Sequence, residues 1–198
     1  MPQAAIGFRV KSGWATAVLL AGSIKSPRAL DRRVVNLCDP NIPESRQPYH
    51  SALGVHEAAD EKVVTPLRKI VERCANRSVT KLIKEYRNSG HDLCGAGLVV
   101  GSEIDPTTIK NPHIRAHALE GRLFREVLEA ALRSNGLDCL IIVERQIYTV
   151  AATRLRRLED ELKHLVAELD RPLSGPWRSD EKTATLAAWL ALASRYTR

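Results

Sequence analysis

The order in which apolar runs occur along this 198-residue chain constrains its fold more than any other feature. Residues 4–10 (AAIGFRV) and 14–21 (WATAVLLA) flank Lys11-Ser12-Gly13, and this spacing reads as a β-hairpin turn. A third strand is expected at 28–37, where ALDRRVVNL mixes two faces. Consecutive strands on short turns run antiparallel. From 56 to 87 apolar residues recur at helical spacing. Val63, Leu67, Ile70, Val71 and Cys74 form one stripe, and Val79, Leu82, Ile83 and Tyr86 continue it past an expected break at Ala75-Asn76. Residues 95–101 (GAGLVVG) and 139–143 (CLIIV) are short, uninterrupted apolar runs suited to strands buried on both faces. A helix from Pro112 to Ser134 separates them. The rest reads as a helix over 148–169, a Pro/Gly break (RPLSGP), and a last helix from Ser179 to Ser194. Strands reached through a helix add in parallel by right-handed crossovers. The expected class is α/β: a mixed sheet, a three-strand antiparallel meander plus parallel strands, with helices on both faces.

The length suits one domain, 1–198, with 148–198 as a C-terminal helical part. Apolar residues at 44% and charged residues at 27% are ordinary for a globular chain, and aromatics at 5% argue against base-stacking platforms. The net charge of +7 and pI near 9.5 favour acidic partners, nucleic acid or a nucleotide among them. Solubility accounts for the same charge equally well, since no long Lys/Arg block occurs. Cys38, Cys74, Cys94 and Cys139 form no C-x-x-C pair, which disfavours a zinc ribbon or a secreted disulfide framework. Cys74 and Cys139 lie in apolar patterns and read as buried thiols. No run reaches membrane-span length, so the expectation is a cytoplasmic protein without a membrane partner.

Two stretches carry a family resemblance. AIGFRVKSGWATAVLL looks like the opening hairpin of the ribonuclease-H-like superfamily, which includes Holliday-junction resolvases and actin-like ATPases. SDEKTATLAAWLALA looks like the final helix of its resolvase-type members. The resemblance implies a site at the carboxyl ends of the central strands, where acidic residues hold Mg²⁺ or Mn²⁺ for phosphodiester hydrolysis. Such chemistry needs clustered carboxylates, because hard cations take oxygen ligands. The position resembling the family's first-strand Asp holds Arg9, with Lys11 close behind. A guanidinium is always charged and cannot ligate magnesium, so two-metal catalysis in its familiar form is not expected. Glu103 after the fourth strand, Glu144 closing the fifth and Asp180 opening the last helix fall where the resemblance puts acids. Each also has a plain structural role open to it: a loop residue, a partner for Arg145 or Arg154, and a helix N-terminal residue.

Independently of any family, His113, His117 and Glu120 share one helical face at i, i+4 and i+7. Glu120 falls within the apolar face set by Leu119, Leu123, Phe124, Val127 and Ala131, where a carboxylate is costly unless paired. His117 and Glu120 are candidate ligands for zinc or manganese. A pocket for an anion or nucleotide is the second reading, and a purely structural pairing of Glu120 with Arg46 or Arg9 the third. The loop PESRQPYH concentrates Glu44, Arg46 and His50 and is a second candidate site. The Lys11-Ser12-Gly13 turn could cradle a phosphate, though a hairpin needs the glycine regardless. The leucines at 155, 158, 162, 165 and 169 pack on the sheet or form a homodimer seam.

Three functions follow. The first is a ribonuclease-H-like domain that binds nucleic acid or a nucleotide through Arg9, Lys11, Arg46, His113 and His117, without standard two-metal catalysis. The second is a metal-dependent phosphodiester hydrolase using Glu103, His117, Glu120, Glu144 and Asp180. The third is a non-catalytic interaction protein.

Overall fold

The computed structural model describes residues 3–53, 60–169 and 173–194. β1 (Gln3–Lys11), β2 (Trp14–Ser23) and β3 (Ser26–Asn36) form the antiparallel meander. β4 (Asp92–Val100) pairs in parallel with β1, and β5 (Cys139–Val143) in parallel with β4, giving the order β3-β2-β1-β4-β5. The helices are α1 (Pro48–Ser51), α2 (Glu61–Asn88), α3 (Pro112–Ser134), α4 (Ile147–Leu155), α5 (Glu159–Glu168) and α6 (Ser179–Ser194). This is the mixed α/β sheet expected from the order of the runs.

Alternation along β1 splits its side chains between two cores. Ala4, Ile6, Phe8 and Val10 join the layer built with α2 and α3. Ala5, Gly7 and Arg9 face α6, and the approach there is close. A Cβ on Gly7 would overlap the Ala184 carbonyl, and one on Gly97 would overlap that of Ala187. Two glycines side by side on β1 and β4 let the helix backbone lie directly on the sheet. Helix α6 is in turn covered by α4 and α5, which is why its Ala- and Leu-rich surface is apolar all round.

Several boundaries differ from the expected ones. Asp60 caps α2 by accepting a hydrogen bond from the Lys62 amide at 2.9 Å, and residues 56–59 of the expected helix lie outside the described residues. Helix α2 runs unbroken through Ala75-Asn76, because Ala75 is buried in the core and good helix propensity there carries the turn. Val63 is exposed and Val64 takes the buried place. The expected helix over 148–169 is two, divided where Arg156 adopts φ +53°. Leu155 and Leu162 are buried in the core built around α6, while Leu158 is 76% exposed between the two helices. Cys74 is buried, but Cys139 is only half-buried, on the edge strand β5. Burial still pushes its thiol up to about 11. Among the described residues no helix is long and apolar enough to cross a membrane.

Candidate functional site

Because β1, β4 and β5 are parallel, their carboxyl ends lie on one edge of the sheet, the edge where open α/β sheets collect ligands. Arg9 stands near the end of β1 and is 5% exposed. Its Nε donates to Glu144 Oε1 at 3.0 Å, Nη2 donates to Glu144 Oε2, and Nη1 donates to the Val10 carbonyl at 2.7 Å. This is the two-pronged fit of guanidinium to carboxylate, and it satisfies a buried cation that would otherwise be strongly unfavourable. Asp180, in the first turn of α6, approaches Arg9 Nε at 3.9 Å and Lys11 Nζ at 3.1 Å. Two cations and two carboxylates thus meet where three elements end, and the group is formally neutral.

Glu144 and Asp180 therefore converge, but on Arg9 and Lys11. Each carboxylate is engaged by a side-chain cation, Glu144 by the buried Arg9 guanidinium and Asp180 by the one-third-exposed Lys11. Glu103 is exposed and accepts from Arg125 Nη1 at 3.2 Å. It joins neither carboxylate.

Glu120 is fully buried on α3. Its Oε1 accepts from the Tyr49 amide at 2.8 Å and the His50 amide at 3.2 Å, and lies 3.4 Å from His50 Nδ1, while Oε2 has no hydrogen-bond partner among the described residues. Neither Arg9 nor Arg46 pairs with it. The two amides belong to α1, whose opening Pro48 fixes the turn and leaves the following N–H groups to point at the carboxylate. Desolvation raises the Glu120 carboxyl to about 7, with the His50 and Tyr49 amides pulling the other way. Burial lowers His50, and His117 and His113 lower it further. The Glu120–His50 contact is therefore a hydrogen bond with a neutral imidazole at neutral pH rather than an ion pair.

His50 in turn packs against both α3 histidines. Its ring centroid is 4.2 Å from that of His117 and 4.9 Å from that of His113, and the Nε2 atoms of His113 and His117 lie 3.2 Å apart. The loop and the helix face that read as separate candidates are one cluster. The signal linking them was the inward Glu120, which demanded donors from a neighbouring segment. Glu44 and Arg46 lie elsewhere. Both are exposed on the turn Pro43–Arg46, and the Arg46 stem lies over Gly13, 2.7 Å from where a Cβ would sit.

His117 also links the cluster to the strand edge. A cavity of about 340 Å³ there is lined by Arg9, Lys11, Ser12, Ser102, His117 and Gly121, among others. Ser102 and Gly121 carry no pattern that would single them out in the sequence. Gly121 lies within the continuous helix α3 at the cavity wall, where no described residue comes within 4 Å of an added Cβ. A larger cavity of about 710 Å³ lies between α2 and α3, and none of the clustered histidines, carboxylates or cations lines it.

No family model and no curated protein matches the sequence. Solved structures do match. RuvC of Thermus thermophilus superposes with a TM-score of 0.59 at 12% identity, covering 98% of this chain and 97% of that one. The same protein in complex with a Holliday junction substrate gives 0.57 at 11% identity, with 98% and 96% covered. The yeast mitochondrial Holliday junction resolvase Ydc2 gives 0.52 at 10% identity, with 98% and 80% covered. With its strand order and its parallel and antiparallel pairings, the chain has the ribonuclease-H-like fold of these resolvases over nearly its whole length.

Proposed function

We propose that this protein binds nucleic acid at the carboxyl edge of its sheet, through backbone phosphates, and does so without two-metal catalysis. The observation that carries the reading is the pairing of Arg9 with Glu144 and of Lys11 with Asp180. A bare carboxylate cluster repels a phosphodiester until divalent cations enter, whereas a cluster with two built-in cations does not. The edge is already neutral, and Lys11 is the accessible member, about one-third exposed and beside the Ser12 and Ser102 hydroxyls of the cavity. A phosphate entering there exchanges one oxyanion for another around Lys11. The net charge of +7 assists approach, and the likeness to a resolvase bound to a Holliday junction makes branched DNA the first substrate to try.

Fluorescence anisotropy with labelled single-stranded, duplex and four-way-junction DNA tests this. Wild-type protein should bind one of them, and Lys11→Ala should weaken that binding irrespective of sequence and reduce the salt slope by about 1. Unchanged affinity in Lys11→Ala, with the fold intact, removes this edge from the interface. Cleavage of the DNA in Mg²⁺ or Mn²⁺, abolished by Glu144→Gln, would instead establish a metal-dependent hydrolase.

A further inference from the structure

The three histidines that meet beside the strand edge have more in common than packing. His113 and His117 stand one turn apart on the exposed face of α3, and His50 reaches them from α1. One nitrogen from each ring can be chosen so that all three lie within 4.8 Å of one another. Nitrogens on a tetrahedral zinc ion, at the usual Zn–N length, are about 3.3 Å apart. The His113–His117 pair, at 3.2 Å, already has that spacing.

Two further observations point to a cation. His50 Nε2 is buried and has no hydrogen-bond partner among the described residues, although it lies among rings that could supply one. A shared proton between His113 and His117 satisfies one pair of nitrogens and leaves the third ring unsatisfied, which is costly for a buried polar atom. A single cation satisfies all three lone pairs together. Glu120, in addition, is set behind His50, with Oε1 at 3.4 Å from Nδ1 and anchored by two backbone amides. A carboxylate that accepts the Nδ1 proton leaves Nε2 as the free lone pair, the arrangement that orients metal-bound histidines.

We propose that His50, His113 and His117 bind one zinc ion, with Glu120 as the residue that positions the His50 ring. Three imidazoles favour a late transition metal over Mg²⁺, which takes oxygen. Three protein ligands leave the fourth position of a tetrahedral ion to water or to a ligand oxygen. Because His117 also lines the Arg9–Lys11 cavity, that ion sits next to the proposed phosphate path. The site does not depend on nucleic-acid binding, and either reading can fail without the other.

The test uses the full chain, stripped with a chelator, dialysed and titrated with Co²⁺ as the spectroscopic probe. The expected result is the intense visible absorption of four-coordinate cobalt, saturating at one ion per chain and displaced by Zn²⁺. His113→Ala and His117→Ala change exposed residues, so their melting curves in chelator should match wild type while the cobalt bands disappear. Glu120→Gln retains an acceptor for the two amides and should weaken metal binding about 10- to 100-fold without abolishing it. His164→Ala, remote in sequence on α5, should leave the titration unchanged. Absence of the bands in folded wild-type protein would overturn the site, as would cobalt binding that survives His113→Ala and His117→Ala.

Discussion

Among single residues, Arg9 sets the character of the strand edge. Its buried guanidinium is tolerable because Glu144 meets it with both oxygens. Glu144→Ala should therefore destabilise the protein by about 2 kcal/mol, less than for a fully buried pair because Glu144 is 38% exposed. Replacing both partners, Arg9→Met with Glu144→Leu, should cost less than Glu144→Ala alone. Urea melts of Arg9→Met, Glu144→Leu and the double variant form the cycle that checks this, and a simple sum of the two single effects would deny the coupling. Glu120 gives a pH signature of unusual sign. Its native carboxyl, raised to about 7, binds a proton more tightly than the unfolded chain does. Stability contributed through Glu120 is accordingly lost as pH rises from about 4.5 to about 7, and is flat above. His50, lowered by burial and by His117 and His113, acts in the opposite sense over its own range. The Glu120 share is therefore read as the difference between wild type and Glu120→Gln in chelator. The inward placement of Glu120 was legible from helical spacing alone, and so was Arg9 on β1. Their partners were not. Glu144 and the Tyr49–His50 amides come from segments 135 and about 70 positions away, and no local pattern encodes such meetings.

At the scale of elements, glycines decide how closely the layers approach. Gly7→Ala should be severely destabilising, since the added methyl meets the α6 backbone, which has no rotamer through which to yield. Gly121→Ala should do the reverse. It fills open space in a helix interior, and a gain of about 0.5–1 kcal/mol is expected from thermal or urea melts. If the cavity beside it admits a phosphate, the same variant should bind DNA more weakly. The strands were legible to within a few residues because β1, β2, β4 and β5 are apolar runs bounded by turn residues, and the mixed-face β3 follows β2 on a short turn. The division of the region after β5 was not, because its leucine spacing continues through Arg156, and only the left-handed backbone there separates α4 from α5. The unbroken α2 is the converse case: Ala75-Asn76 looked like a break in pattern, yet tertiary packing of Ala75 carries the helix across it.

At the scale of the whole molecule, the fold places the ends of β1, β5 and α6 together, and the chain has put two cations among the acids that meet there. In the proposed function this edge receives phosphate by virtue of its own Lys and Arg rather than through bound divalent ions. Affinity for four-way-junction DNA, measured across a salt series in excess EDTA, is the deciding measurement. Binding should persist in EDTA, with the logarithm of the association constant falling linearly as the logarithm of salt rises. Binding that appears only when Mg²⁺ or Mn²⁺ is restored, or no binding at low ionic strength, would contradict it.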